Sequence, residues 1–120
     1  MPSPAFVTVA VLNWAIERVG AGERVAIASV VRATGSVPGK PGARLAISSS
    51  GEKFGTIGGA GLELTVEKEL REILIRNLSD LRKKGGAVET FLLNRDGKGK
   101  EASALDSLCG GRVTVAMEVI

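Results

Sequence analysis

A nearly continuous apolar run, VAIASVV, occupies residues 25–31. Its residues are β-branched or small, and a run without polar alternation is typical of a strand that is buried on both faces of its sheet. The extended pattern ends at Gly35, where a glycine-rich loop begins. The sequence therefore predicts a central strand here, around which the other elements can be placed.

A helix is predicted before this strand. Pro4 suits the first helical position, Ser3 can cap it, and Gly20 or Gly22 ends it. Residues 7–11 also alternate, so a strand at the very start is the alternative. The apolar face of the predicted helix contains Val11, Leu12, Ala15, Ile16 and Val19.

Further elements follow from hydrophobic periodicity. Two short strands at 44–47 and 53–57 flank a serine-rich turn, which favours a hairpin, and apolar spacing indicates a long helix from about Leu62 to Lys84. The elements predicted after it are a strand at Val88–Leu93, a polar loop at Asn94–Leu108 and a strand at Arg112–Val119. The predicted fold is α/β: a single domain over residues 1–120, with a mixed β-sheet of about five strands and two principal helices.

The composition excludes several classes of protein. The 120 residues contain no histidine, which excludes imidazole catalysis and histidine metal sites. They contain one cysteine, which excludes an internal disulfide and favours a reducing cytoplasm. No apolar run is long enough to span a membrane, and the 3% of aromatic residues disfavour a nucleic-acid surface. The net charge of +3 would suit an anionic ligand, or merely solubility.

Three glycine-rich segments stand beside predicted strands, at residues 33–44, 55–63 and 109–111. Glycine lets the backbone approach a ligand closely and adopts positive φ without strain. In the middle segment, a glycine cluster at 58–61 lies between a strand and the long helix, where free amides and the helix dipole favour an anion. The alternative is that these glycines only form a tight turn. Glu63 lies in the first turn of that helix, where it could pair with the helix dipole, or accept hydrogen bonds from a ligand or from the amides that cradle it.

Side chains in the other two segments add candidate ligand contacts. Arg44 suits a bidentate contact to phosphate, and the alternative is a solvated arginine at a strand edge. Ser36 can donate to an anion, but without a histidine it is a poor nucleophile. Cys109 precedes two glycines, so a reactive or metal-contacting thiol is weighed against a small buried hydrophobe. The neighbouring Arg112 would favour its thiolate.

The three segments, taken in order, resemble the XdhC/CoxI family. The shared motifs are Thr-Gly-Ser-x-Pro with Pro-Gly-x-Arg, then Gly-Thr-Ile-Gly-Gly-x-x-Leu-Glu, then a late Cys-Gly-Gly entering a valine-rich strand. The resemblance runs from about Val7 to Ile120 and is to the N-terminal type of domain. Longer members add a Rossmann-like domain, so this chain is expected to be either a short stand-alone form or a fragment.

The resemblance implies a role in the maturation of molybdenum hydroxylases of the xanthine dehydrogenase or CO dehydrogenase type. Family members are understood to bind the molybdenum cofactor (molybdopterin) as cargo, protect it, support its sulfuration and hand it to the apo-hydroxylase. The implied partners are that apo-enzyme, a cysteine desulfurase and a second copy of the chain; the chain itself would not be an enzyme. Neither nucleic acid nor membrane is implied as a partner.

The cofactor-binding positions that match the family motifs are Gly35, Ser36, Gly42, Arg44, Gly58, Gly59, Gly61, Glu63, Cys109, Gly110 and Gly111, with Cys109 also as a metal contact. The chain departs from the family pattern at three positions. It has Ala60 and Gly61 where the family often has a third glycine and a cysteine, and Gly39 where arginine is common. These departures bear on sulfuration more than on cofactor binding.

Two other functions are weighed against this one. The chain could be an interaction module that docks on the hydroxylase or on a sulfur donor without holding cofactor. It could also be a small enzyme acting on a phosphorylated metabolite through carboxylates such as Glu63 and Asp106. The sequence shows no base–nucleophile pair to support the enzyme.

Overall fold

A computed structural model describes residues 4–35, 40–79, 86–93, 99–101 and 111–120. This part of the chain contains, in order, α1 (Pro4–Gly20), β1 (Val25–Thr34), β2 (Arg44–Ser48), β3 (Lys53–Thr56), α2 (Ala60–Ser79), β4 (Gly86–Leu93), β5 (Gly99–Glu101) and β6 (Arg112–Val119). The predicted N-terminal helix is confirmed, and the alternative of a strand there is wrong. The predicted last turn of the long helix, at 80–84, lies outside the described residues.

The strands form one sheet in the order β3-β2-β1-β6-β4-β5, so the apolar run of β1 is central as predicted. The α/β class, the two helices and about five strands are confirmed. The mixed character is wrong, because every described pairing is antiparallel. The physical reason is the position of β6, which enters between β1 and β4 and runs antiparallel to both. The parallel strands β1 and β4 are therefore never neighbours.

β5 is a strand that the sequence analysis does not predict, since it lies inside the polar range 94–108. It pairs with the end of β4, where Phe91 is opposite Glu101 and Leu93 is opposite Gly99. Its three residues include no β-branched or aromatic side chain, so propensity gives no signal for a strand. The rest of the predicted loop lies outside the described residues.

The sheet separates two apolar cores. Successive residues of β1 alternate between them, with Val25 and Ile27 facing α1 and Ala26 and Ala28 facing α2. The larger core, against α2, includes Leu45, Ile57, Leu62, Val66, Leu70, Phe91, Val113 and Val115. The smaller one, against α1, consists of Val11, Ala15, Val25, Ile27 and Ala46, with Trp14 packed at its side. The two helices thus cover opposite faces of the sheet.

α1 buries only part of its predicted apolar face. Val11 and Ala15 are fully buried, whereas Leu12, Ile16 and Val19 are 41%, 66% and 43% exposed. The main contacts of α1 are with β1, β2 and β3. The α1 face of the sheet is therefore open over part of β6 and β4, where Val88 is 70% exposed.

A β-bulge interrupts β1. Val30 is paired with Val115, but the next pair in the ladder joins Arg32 to Thr114. Val31 is thus the extra residue, and it is half exposed. An extra residue of this kind reverses the side to which the following side chains point.

The reversal is visible in the packing on either side of the bulge. Before it, Ala28 and Val30 belong to the core under α2; after it, Ala33 packs against that core. Arg32 and Thr34 consequently point to the opposite face, the one that α1 covers in part. The bulge therefore removes two polar side chains from the α2 core and brings them to an open surface.

Candidate functional site

The first and third glycine segments meet at one end of the sheet, which we call the glycine end. β1 ends there at Thr34, which is paired with Arg112, the first residue of β6. Gly35 and Gly111 are the chain neighbours of this pair, so both segments leave the sheet at adjacent positions. The register thus brings together two segments that lie more than half the chain apart.

The middle segment lies toward the same edge of the sheet, beside the first segment but not beside the Thr34–Arg112 pair. β2 begins at Arg44, which is paired with Thr56, the last residue of β3, and with Ser29 of β1, five residues before Thr34. α2 then begins at Ala60, immediately after the turn that follows Thr56. Thr8, early in α1, also contacts Arg44 there. The amino-terminal ends of both helices, which carry partial positive charge, therefore lie near Arg44 and Thr56.

The carboxylate of Glu63 closes the turn between β3 and α2. Its Oε1 accepts hydrogen bonds from the amides of Ile57, at 2.9 Å, and Gly59, at 3.1 Å, and from the Thr56 hydroxyl. The Gly58 amide donates to Thr56 Oγ1 at 3.0 Å. The expectation of free amides in the cluster 58–61 is therefore wrong for Gly58 and Gly59. Of the roles considered for Glu63, the structure shows acceptance from the amides.

The pKa of Glu63 reflects this position. Partial burial raises the pKa, but the hydrogen bonds from Thr56, Ile57 and Gly59 outweigh that effect, and the pKa lies below its ordinary value of 4.5. Lys53 adds a smaller attraction in the same direction. The carboxylate is therefore ionised at neutral pH and acts as an internal anion for the turn.

The glycines of the turn differ in the space around them. Gly58 and Gly59 have φ of 115° and 75°, which other residues adopt only with strain. A Cβ at Gly59 would meet no atom within 4 Å, so a ligand could approach its backbone. Gly55 has φ of 87°, and a Cβ there would lie 2.3 Å from the Arg44 carbonyl oxygen, so at this position packing requires glycine. Gly61 lies in the first turn of α2, and its carbonyl accepts from Thr65.

The Arg44 side chain is fixed by hydrogen bonds within the protein and is not a solvated arginine at a strand edge. Its Nη1 donates to Thr8 Oγ1 at 2.9 Å and to the Gly42 carbonyl at 3.0 Å. Gly42, with φ of 96°, donates its amide to the Val30 carbonyl at 2.9 Å and so fixes the loop beside the bulge. A guanidinium has five N–H donors, so Arg44 keeps donors for a ligand.

Of the remaining predicted site residues, the structure describes only Gly35 and Gly111. Gly35 has φ of 75°, as expected for a loop glycine, and Gly111 is buried. Ser36, Cys109 and Gly110 lie outside the described residues, so their predicted roles stay predictions.

A cavity beside the Thr34–Arg112 pair is a feature that the sequence analysis does not single out. Its volume is about 360 Å³, and it is lined by Arg32, Thr34, Thr90, Arg112 and Thr114. These residues come from three strands that become neighbours only in the folded sheet, so no linear motif joins them. The one signal in the sequence is the alternation of β6, which places Arg112 and Thr114 on one face.

Two other kinds of feature are absent from the part of the chain that the structure describes. Within the described ranges, no group of three or more acidic, cysteine or histidine side chains is placed to hold a metal ion. In the same ranges, neither helix is long and apolar enough to cross a membrane.

Comparison with solved structures finds the same fold in a larger protein. The chain matches a crystal structure described as a xanthine dehydrogenase from Bacillus halodurans, with a TM-score of 0.62 and 17% sequence identity. The match covers 90% of this chain and 30% of that one, so the chain spans less than a third of the length of this relative. At this identity the likeness shows the fold alone. No curated protein sequence matches the chain.

Comparison with protein families finds a match over β1, β2, β3 and α2, which includes only the last two residues of α1. The model of the XdhC and CoxI family matches residues 19–83, more than half of the 120 residues. The matched span contains the first and middle glycine segments, with the Gly58–Gly59 turn and Glu63. The chain therefore belongs to the XdhC and CoxI family.

Proposed function

We propose that the chain binds the molybdenum cofactor as cargo and delivers it to an apo-hydroxylase of the xanthine dehydrogenase or CO dehydrogenase type. The observation that carries the proposal is that the first glycine segment adjoins both of the others: its Thr34 is paired with Arg112, next to the third segment, and its Arg44 is paired with Thr56 of the middle segment. Family membership supports the link to molybdenum hydroxylases.

The chemistry of the glycine segments suits this cargo in part. The cofactor carries an anionic phosphate, a dithiolene that oxidises readily and a pterin rich in hydrogen-bond donors and acceptors. Arg44 retains guanidinium donors, and the backbone at Gly59 is open to an approaching ligand. The amides of Ile57 and Gly59 already serve Glu63, so the turn contributes shape more than free donors. Cys109 would supply a soft thiol, including a contact to the metal.

The remaining parts of the proposal follow from the same role. The chain would work in the cytoplasm as a carrier without turnover, because its cargo is released unchanged apart from sulfuration. A cysteine desulfurase would be a second partner if sulfur is added while the cargo is bound. A second copy of the chain is the third proposed partner, and α1 offers a surface for it.

The test is anaerobic equilibrium binding of free molybdenum cofactor. We expect stoichiometric binding by the wild type, and dissociation constants raised at least about tenfold in Arg44→Gln and Gly59→Val, since a removed charge-assisted contact or a blocked approach costs about 1.4 kcal/mol or more. Cys109→Ala tests the thiol. The matched control is Gly22→Val, which shares a positive φ and open surroundings with Gly59 but lies between α1 and β1.

Two results would count against the carrier. One is the absence of binding by folded wild-type protein at micromolar cofactor. The other is equal weakening by Gly59→Val and Gly22→Val, which would reflect strain in the fold rather than a site.

The second candidate is an interaction module that docks on the hydroxylase or on a sulfur donor without holding cofactor. The observation that favours it is the exposed apolar side of α1, where Ile16 is 66% exposed. The two candidates separate in a pull-down with apo-hydroxylase. A docking module would bind the partner with Arg44→Gln and Gly59→Val as well as the wild type does, and no form would retain cofactor.

A further inference from the structure

Two arginines on the open part of the α1 face of the sheet have no counter-charge among the described residues. Arg32 is paired with Thr114 and Arg112 with Thr34, so the two arginines are diagonal neighbours on one face. Both are exposed. Neither forms a hydrogen bond or an ion pair within the part of the chain that the structure describes. Two like charges at such close positions repel each other, and an anion between them would remove that cost.

Hydroxyl groups complete the same cavity. Thr34, Thr90 and Thr114 line it together with the arginines. Thr90 Oγ1 and Thr114 Oγ1 lie 3.0 Å apart, so one donates to the other and the accepting hydroxyl keeps its own hydrogen for a ligand. Three strands therefore present hydrogen-bond donors to one space.

The backbone of β1 is arranged to produce this cluster. With regular alternation, Arg32 would point into the apolar core under α2, where Ala28 and Val30 lie. The extra residue Val31 turns Arg32 and Thr34 to the other face instead. Bulges that redirect side chains in this way are frequent beside functional sites.

The size of the cavity suits a small molecule. A volume of about 360 Å³ exceeds what an inorganic anion needs and lies within the range of small-ligand pockets. Val88, paired with Ala116, continues the same face next to the Thr90–Thr114 pair and is 70% exposed. The charged cavity is thus bordered by an apolar surface that could hold the body of a ligand.

We propose that this cavity binds the phosphate of a small phosphomonoester. A phosphomonoester carries up to two negative charges and has three terminal oxygens, which match two guanidinium groups and the hydroxyl donors. A carboxylate offers one charge and two oxygens, so it would satisfy only one of the arginines. The inference does not depend on the proposed cargo, although the phosphate of that cargo is one such group.

The experiment is an NMR titration of the labelled chain with phenyl phosphate at low ionic strength, with benzoate as the carboxylate comparison. We expect saturable shifts at Thr34, Thr90, Arg112 and Thr114, and weaker binding of benzoate. Arg32→Gln and Arg112→Gln should each raise the dissociation constant about tenfold, as expected for loss of a charge-assisted bidentate contact. Lys68→Gln is the matched control, because it removes the same charge from the exposed side of α2.

Non-saturable shifts in the folded wild type would overturn the inference, as would an equal effect of Lys68→Gln or equal affinity for benzoate. The spectra of the variants themselves report whether they are folded. Failure of this titration leaves the cargo experiment unaffected, since that experiment varies Arg44, Gly59 and Cys109. Conversely, saturable phosphate binding with no retention of molybdenum cofactor would support the phosphate site and count against the carrier.

Discussion

At the level of single residues, Glu63 shows that a side chain of the family motif can itself accept the hydrogen bonds that the motif's amides donate. Its carboxylate accepts from two backbone amides and one hydroxyl of the turn that precedes its own helix. An external anion at that turn would compete with Glu63 for the same donors. The motif glutamate is therefore a structural anion of the turn, and the proposed contacts to the cargo would be made by other groups.

Replacement of Glu63 should destabilise the fold. Glu63→Ala leaves the amides of Ile57 and Gly59 without their acceptor, so we expect the free energy of unfolding at pH 7 to fall by about 1–3 kcal/mol. Glu72→Ala, at an exposed position of the same helix, should change it by less than about 0.5 kcal/mol. The measurement is urea unfolding followed by the fluorescence of Trp14, the only tryptophan, which stacks on Phe54.

The pH dependence of the same measurement provides the control. Because the pKa of Glu63 in the folded state lies below its ordinary value of 4.5, its stabilising effect is complete above about pH 4.5 and is lost as the pH falls through the folded-state pKa. The difference between wild type and Glu63→Ala should therefore shrink in acid. A difference that stays constant down to the folded-state pKa and below would assign the effect to something other than the carboxylate.

At the level of elements, the β2–β3 hairpin depends on the absence of a side chain at Gly55. Gly55→Ala would place a Cβ 2.3 Å from the Arg44 carbonyl oxygen and 3.0 Å from Val11. Gly22→Ala has nearly the same φ, 88°, but open surroundings. We expect Gly22→Ala to cost about 1–2 kcal/mol of unfolding free energy from φ strain alone, and Gly55→Ala about 3–5 kcal/mol, since a clash is added. Similar costs in urea unfolding would show that the hairpin can move away from the clash.

The elements also show what the sequence can and cannot predict. Apolar periodicity identified both helices and the strands β1, β2, β4 and β6, because the spacing of their apolar residues reflects which side chains are buried. The four residues of β3 are exposed, and this strand was identified from the serine-rich turn that joins it to β2. β5 escaped prediction because an edge strand of Gly99, Lys100 and Glu101 buries no regular apolar face. The apolar spacing in α1 also did not distinguish the side chains that the fold buries, such as Val11, from those that it leaves exposed, such as Ile16.

Prediction of the candidate site was limited in a similar way. The glycine segments were recognisable because each is contiguous in sequence. The cavity with Arg32 and Arg112 was not recognisable, because it depends on the register of β1 with β6 and on a bulge at Val31. Register is decided by packing between distant segments, which a local pattern does not contain.

At the level of the whole molecule, the exposed apolar side of α1 bears on self-association. Val9, Leu12, Ile16 and Val19 follow one another at three- and four-residue spacing and are 41–66% exposed. Such a stripe can pack against its own copy across a two-fold axis. We expect a mass of about twice 12.4 kDa in light scattering, and a monomer for Ile16→Glu.

The matched control for self-association is Ile75→Glu. Ile75 is 68% exposed on α2, close to the value for Ile16, but toward the start of α2 the exposed Lys68 separates it from Leu64, the nearest exposed apolar residue in that direction. This variant should keep the mass of the wild type. A monomeric wild type, or an equal loss of mass in both variants, would remove the second copy from the list of partners.

The position of β6 also determines the order in which the chain can fold. β1 is synthesised early, yet its partner on one side is the last strand of these 120 residues, with Ala26 opposite Val119. A nascent chain that has completed β1, β2 and β3 therefore carries an unpaired strand edge until residues 112–119 emerge. Unpaired edges rich in valine and isoleucine are prone to join other chains. Closure of this sheet is thus a late, long-range event, and until it occurs one edge of β1 is open to pairing with other chains.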